Sequence, residues 1–190
     1  TAIALDTTAK ATVALLNKNQ AQNATANLAL PFTSQAPFGN WDALHEDTCE
    51  EASVLMVERY FAGIGGNLDQ QTADDSMIDM VNAQTIQGLF TSLTASELAI
   101  FTESYFVNLT ATVIEDPSIE EIKTYIDSGI PVIVPSAGRE LGNPFFSGEG
   151  PLYHYLVVRG YDDGVFITND PGTRHGENYT YKQSIIMDAM

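Results

Sequence analysis

Cys49 is the residue with the strongest potential for covalent chemistry, and it is the only cysteine in the chain. A thiol becomes a nucleophile when it loses its proton, which a neighbouring imidazole or a helix N-terminus favours. Since no internal disulfide can form, the residue is a nucleophile, a buried structural thiol or an incidental cysteine. The neighbours that the fold supplies decide between these alternatives.

His154 and Asp170 are the predicted partners of Cys49. His154 begins a predicted strand, residues 153–160, and points to the same side of it as Leu156. Asp170 follows the next predicted strand, residues 164–168, within the turn sequence Asn-Asp-Pro-Gly. If these strands form a hairpin, their outer ends lie side by side, where a carboxylate can orient an imidazole. Each residue also has a structural alternative, namely a histidine bonded to a backbone carbonyl and an aspartate that caps a turn.

A helix that begins at Cys49 would place its thiol in an activating position. Thr48 and Glu51 have the spacing of a capping box, and apolar residues follow at helical spacing. The free N–H groups at a helix N-terminus favour a thiolate and can hold an oxyanion. Glu50 and Glu51 oppose this effect, because a nearby negative charge raises a thiol pKa. A Glu51 side chain turned back onto the cap would weaken the opposition, and strong activation still needs an imidazolium partner.

The rest of the chain places helices before strands, which predicts an α+β fold with a mainly antiparallel sheet. Helices are expected at 48–61, in one or two pieces within 72–92, from the capping box of Thr94 and Glu97 to 105, and at 117–128. Strands are expected at 110–114, 130–135, 153–160, 164–168 and 178–184. Residues 1–29 are predicted as a helix with an extended segment, or as an arm or extension packed on the body. Residues 30–190 then complete a single globular domain.

Five segments together resemble the C39-like branch of papain-like cysteine peptidases. They are residues 32–41 (FTSQAPFGNW), 49–53 (CEEAS), 130–134 (IPVIV), 153–163 (YHYLVVRGYDD) and 169–172 (NDPG). The resemblance spans residues 30–182, and the order of the segments makes it specific. It implies a papain-like cysteine peptidase fold, in which a helical half and a twisted, mainly antiparallel sheet enclose a cleft.

The resemblance also implies roles for four residues. In that family the cysteine opens a long helix, a histidine opens a strand and an aspartate follows the next strand, which corresponds to Cys49, His154 and Asp170. A glutamine upstream of the cysteine supplies an oxyanion-hole donor, and the matching residue is Gln35. The sequence departs from the family pattern in having Cys-Glu where Cys-Gly is frequent, and in a longer separation between Gln35 and Cys49.

Composition limits the partners of this chain. Eight basic residues against 25 acidic ones give a net charge of −17, which disfavours nucleic acid and anionic lipid. No apolar run of about 18 residues is present, so no membrane insertion is expected. A peptide or protein substrate is expected, and no cofactor is expected. No metal site is expected either, since Asp162-Asp163-Gly164 is typical of a hairpin turn. Acidity and few lysines suit an extracellular or cell-envelope protein, although no signal peptide is visible; the oligomeric state stays open.

The loops around these segments carry further expectations. Phe38 and Trp41 are expected to pack their loop onto the body or to form a cleft wall, and His45 and His175 are expected to be loop residues. The loop 137–151 is expected to border the cleft, where its charged residues Arg139, Glu140 and Glu149 would read substrate charge.

Two alternatives to peptide hydrolysis remain at this stage. The first is another acyl transfer on the same triad, either amide hydrolysis or transamidation. The second is a binding or regulatory domain that keeps the fold without turnover, which the carboxylates of Glu50 and Glu51 favour. The pH dependence of Cys49 alkylation distinguishes a catalytic thiol from a structural one.

Overall fold

An antiparallel sheet runs through the protein and positions the residues of interest. The computed structural model describes residues 1–7 and 23–190, so most of the helix considered for the first thirty residues lies outside the described part. The strands are β1 (Ala2–Asp6), β2 (Ala26–Asn27), β3 (Thr110–Ile114), β4 (Val132–Ser136), β5 (His154–Asp162), β6 (Val165–Asn169) and β7 (Tyr179–Lys182). Their order is β3-β1-β4-β5-β6-β7, with β2 also paired to β5, and every pairing is antiparallel.

The first strand is an inner strand of this sheet. β1 pairs with β3 on one side and β4 on the other, and all five of its residues are buried. Residues 2–6 therefore contribute to the sheet itself and do not lie on its surface as an arm.

Helices cover both faces of the sheet. They are α1 (Cys49–Phe61), α2 (Gln70–Ile86), α3 (Ala95–Tyr105), α4 (Ile119–Asp127) and α5 (Gln183–Ala189). The core on one face joins α1, α2 and α3 to Tyr155 and Val157, whereas the core on the other joins α4 and α5 to Leu156 and Val158. This alternation follows from the two-residue period of a strand. The α+β prediction is confirmed, with helices on both faces of the sheet.

Of the two predicted capping boxes, one is confirmed and one is wrong. At α3, Thr94 accepts the Glu97 backbone N–H while the Glu97 carboxylate accepts the Thr94 N–H, as predicted. At α1, the Thr48 hydroxyl instead donates to the backbone oxygen of Gln35 at 3.2 Å, and no side chain caps the helix. Both Thr48 and Glu51 are buried, so partners from distant segments replace the local ones.

The hairpin of β5 and β6 forms as predicted. Its two-residue turn, Asp163 and Gly164, has positive φ at both positions (29° and 79°), which suits the twist of a tight hairpin. The strands pair from Asp162 with Val165 to Val157 with Asn169. The beginning of β5 and the end of β6 therefore lie at the same end of the sheet. No helix within residues 1–7 and 23–190 is long and apolar enough to cross a membrane.

Candidate active site

His154 and Asp170 form a buried pair at this end of the sheet. His154 Nε2 lies 2.7 Å from Asp170 Oδ1, and the two residues are 1% and 0% exposed. Asp170 also accepts hydrogen bonds from the Tyr181 hydroxyl at 2.6 Å, from Asn143 Nδ2 at 3.0 Å and from the Gly172 N–H at 3.0 Å. Burial alone would raise the pKa of Asp170, but His154 and these donors hold it below its ordinary value. The charged carboxylate thus fixes the orientation of the imidazole.

The orientation of His154 leaves one ring nitrogen available. Nε2 is engaged by Asp170, whereas Nδ1 makes no hydrogen bond to any described residue. Phe146 packs edge-to-face on the ring with centroids 5.2 Å apart. On another side, a Cβ at Gly172 would lie only 2.8 Å from His154 Cε1, so glycine lets the backbone approach the ring.

Cys49 is the first residue of α1 and is 4% exposed. Its Sγ donates a hydrogen bond to Glu50 Oε2 at 3.0 Å, and the Tyr155 backbone N–H lies against the sulfur. Burial raises the pKa of Cys49 well above its ordinary value, and the Glu50 carboxylate raises it further, while the Tyr155 N–H opposes both. Burial and the Glu50 carboxylate thus favour the neutral thiol and oppose the predicted activation by the helix N-terminus. No hydrogen bond joins Sγ to His154 among the described residues.

Glu50 and Glu51 are both buried, each 1% exposed. Glu50 Oε1 accepts the Leu93 N–H at 3.1 Å, and Glu51 Oε1 accepts Gln84 Nε2 at 2.6 Å. Burial raises the pKa of Glu50 to about 7, against the lowering effects of its hydrogen bonds and of His154. Burial and the charge of Glu50 raise the pKa of Glu51 to about 8. Each carboxyl thus changes charge near neutral pH, and the prediction that Glu51 turns back onto the helix cap is wrong.

Gln35 lies between the segment before Cys49 and the turn after Asp170. Its Nε2 donates to the backbone oxygens of His45 at 2.7 Å and Glu46 at 3.1 Å, and its backbone N–H donates to Pro171 at 2.9 Å. Both side-chain donor contacts therefore go to the loop that leads into α1. Its role as an oxyanion donor stays a prediction.

His45 is a loop residue, as predicted, and it is nearly buried. Nδ1 lies 2.8 Å from Asp42 Oδ1, and Nε2 lies 2.8 Å from Asp74 Oδ1. Burial lowers the pKa of His45, but the two carboxylates outweigh it and the net change is an increase. His45 thus links its own loop to α2, and its backbone oxygen holds Gln35 in place.

Several residues around the pair gave no usable signal in the sequence. Asn143 reaches Asp170 from a long loop, and Tyr181 reaches it from β7, since both donate to Oδ2 of the same carboxylate. The one signal that could have indicated Tyr181 is its alternation with Tyr179 within the predicted strand 178–184, which puts both on one face. The expectation that Phe38 and Trp41 pack on the body is wrong, because they are 55% and 43% exposed.

The charged residues of the loop 137–151 lie at the surface. Arg139 Nη1 lies 3.4 Å from Glu149 Oε2 in an exposed ion pair, and Glu140 is exposed as well. His175 is exposed and stacks on Phe145, with centroids 4.5 Å apart. The described residues contain no group of three or more His, Cys, Asp or Glu side chains suited to a metal ion.

Comparison with known proteins gives one family. The family model described as Peptidase C39 like family matches residues 17–188, nearly the whole chain. No curated protein matches the chain significantly.

Proposed function

The chain belongs to the peptidase C39-like family, and from this premise we propose that it is a cysteine peptidase that cleaves peptide or amide bonds with Cys49, His154 and Asp170. The observation that carries the proposal is the placement of the three side chains. His154 is fixed by a fully buried Asp170, and the sulfur of Cys49 lies against the backbone N–H of Tyr155, the residue after His154. A helix bearing the cysteine therefore meets a strand bearing the histidine, an arrangement that supports a papain-like fold.

The proposed reaction begins when the Cys49 thiol gives its proton to His154 Nδ1. The sulfur then attacks the substrate carbonyl carbon, an S–C bond forms, and the carbonyl oxygen takes the negative charge. As the C–N bond breaks, the imidazolium returns the proton to the leaving nitrogen. Water, deprotonated by His154, hydrolyses the thioester and regenerates the thiol. Asp170 stabilises the imidazolium in both halves of the reaction.

Two groups are suited to stabilise the oxyanion. The backbone N–H of Cys49 lies in the first turn of α1, where amides have no partner within the helix. Gln35 Nε2 is the second, and it contributes when substrate replaces one of its bonds to the loop carbonyls of His45 and Glu46. Each such donor is worth about 2.7–4 kcal/mol of transition-state stabilisation.

A second candidate is a binding domain without turnover. It is favoured by the raised pKa of Cys49, since a neutral, buried thiol is a poor nucleophile. Acyl transfer to an amine in place of water is a variant of the main proposal with the same residues.

The test is labelling by a fluorescent peptidyl acyloxymethyl ketone, together with hydrolysis of fluorescein-labelled casein. Wild type should react with both, and Cys49→Ala with neither. His154→Ala should lower the labelling rate by about 10²–10⁴-fold, the usual contribution of a general base. His175→Ala is the matched control, because that imidazole is exposed and lies outside the site, and its rate should equal wild type.

The binding-domain reading would be supported by the opposite pattern. Casein would remain intact, and iodoacetamide would react with Cys49 only at high pH, at rates that His154→Ala leaves unchanged.

A further inference from the structure

Glu50 makes the one side-chain hydrogen bond of the Cys49 sulfur among the described residues, at 3.0 Å. We propose that Glu50 is a positioning residue that holds the Cys49 thiol in a protonated resting orientation and releases it toward His154 when its own carboxylate is neutralised. The inference rests on the proposed function for its consequence in catalysis. The contact itself is independent of any substrate.

The geometry of the thiol carries the first step. A thiol has one proton, so Sγ cannot donate to Glu50 Oε2 and to His154 Nδ1 at the same time. The observed donation goes to Glu50, which leaves Nδ1 without a partner among the described residues. The resting arrangement therefore withholds the nucleophile's proton from its general base.

The carboxylate of Glu50 is held from its other side as well. Its Oε1 accepts the Leu93 N–H at 3.1 Å, and the Leu93 backbone oxygen accepts the hydroxyls of Tyr153 at 2.5 Å and Tyr155 at 3.0 Å. Since Tyr153 directly precedes β5 and Tyr155 lies within it, the clamp on Glu50 is attached to the strand that carries His154. With 1% exposure, the carboxylate has no access to water as an alternative partner.

The charges around Glu50 influence the pH at which its carboxylate takes up a proton. On α1 it faces Cys49 and Glu51, and at the beginning of β5 it faces His154, Tyr155 and the preceding Tyr153. Asp47 and Glu97 act on this cluster from farther away. Among these groups, the Cys49 hydrogen bond and the charge of His154 favour the charged carboxylate. Burial dominates and raises the pKa of Glu50 to about 7.

The direction of the effect on the Cys49 thiol follows from the raised pKa of Glu50. Above pH 7 the carboxylate is negative, accepts the thiol proton and disfavours a second negative charge on the sulfur. Below pH 7 it becomes a neutral acid, which is a weaker acceptor for the thiol proton and can itself donate to a thiolate. Glu50→Gln reproduces the neutral state at every pH.

The experiment is the alkylation rate of Cys49 by iodoacetamide between pH 5.5 and 8.5, followed by mass spectrometry on the full chain. Removing one adjacent negative charge lowers a neighbouring pKa by about one unit or more, so Glu50→Gln should react about tenfold faster than wild type at pH 8. The ratio should fall toward one below pH 7, where Glu50 is already neutral in wild type.

Glu51→Gln is the matched control, because it makes the same substitution one residue further on without a contact to Sγ. Its rate at pH 8 should change less than that of Glu50→Gln. Glu50→Asp supplies a second variant that keeps the charge and withdraws it from Sγ by one methylene, and it should also react faster than wild type at pH 8.

Three outcomes overturn the proposal: equal rates for folded wild type and Glu50→Gln, a slower Glu50→Gln, or an equal effect of Glu51→Gln. A slower variant would make Glu50 a proton acceptor for the thiol. Alkylation needs no peptide substrate, so a faster Glu50→Gln together with intact casein would uphold this inference while the proposed hydrolysis fails.

Discussion

A methyl group added at Gly172 should push the His154 imidazole away from the Asp170 carboxylate, although neither of these two residues is replaced. The backbone at this position passes directly beside the imidazole, and its N–H donates to Asp170 Oδ1. Gly172→Ala therefore acts on the orientation of the base without changing any ionisable group.

The size of the effect follows from three distances. A Cβ at position 172 would lie 2.8 Å from both His154 Cε1 and Phe146 Cε1, and 3.1 Å from His154 Nε2. Carbon atoms pack at about 3.5–4.0 Å, so the ring has to move by about 0.7 Å. The bond from Nε2 to Asp170, 2.7 Å in the structure, then reaches the limit of a hydrogen bond. Misplacement on this scale costs about 10²-fold in rate, and overpacking costs about 1–3 kcal/mol of stability.

The assay is casein hydrolysis and probe labelling per folded molecule, with the folded fraction taken from urea unfolding. Gly160→Ala is the control, because its Cβ would lie 2.4 Å from the Ala26 backbone oxygen, at the β2–β5 pairing outside the site. That variant should lose stability and keep its rate per folded molecule. Hydrolysis of casein by folded Gly172→Ala at the wild-type rate would show that His154 is not the base.

Three further predictions concern the surrounding network. Tyr181→Phe removes a hydrogen-bond donor from Asp170, so the pKa of Asp170 should rise. The lowered pKa of this carboxyl stabilises the fold at pH values above its unfolded pKa, and the stabilisation is lost as the pH falls. Acid unfolding of the variant, followed by circular dichroism, should therefore begin at higher pH, and about 1 kcal/mol of stability should be lost at pH 7. Asp74→Asn removes one of the two carboxylates that contact His45. The raised pKa of His45 stabilises the fold at pH values below its unfolded pKa, and the stabilisation is lost as the pH rises. The free energy of urea unfolding should therefore differ less between pH 6 and pH 8 in the variant than in wild type. Arg159→Met removes the guanidinium donor from two backbone oxygens, of which that of residue 28 keeps the Leu30 N–H and that of residue 30 keeps no donor among the described residues; the free energy of urea unfolding should fall by about 1–3 kcal/mol while hydrolysis per folded molecule persists.

The parts of the fold that depend on local pattern were predictable. Thr94 and Glu97 are neighbours on one turn, so their spacing alone specified a capping box that forms. Asp163 and Gly164 specified a tight turn, and that turn brings His154 beside Asp170. In both cases the interacting groups are close in sequence or are linked by one hairpin.

Residues with partners from distant segments were not predictable. The same capping spacing at Thr48 and Glu51 fails because Gln35 and Gln84 offer buried alternatives, and neither is near in sequence. Burial of Glu50 was hidden for the same reason, since its clamp at Leu93 lies between α2 and α3. A carboxylate beside a thiol looks like a simple charge in the sequence, whereas burial makes it a group that titrates near neutral pH.

The end point of β6 shapes the surroundings of both Cys49 and His154, which belong to opposite faces of the sheet. Cys49 packs with Tyr155 and Val157, whereas His154 points to the face of Leu156. β6 pairs with β5 only from Val157 onward, so within the described residues no β6 partner lies opposite Tyr155, and the sulfur can take its N–H. Because β6 ends at Asn169, Asp170 lies outside the hydrogen-bonded ladder, where its carboxylate contacts the imidazole of His154. A longer β6 would occupy the Tyr155 N–H and keep Asp170 within the strand, so the short strand is a condition for the contact of Tyr155 with Cys49 and for that of Asp170 with His154.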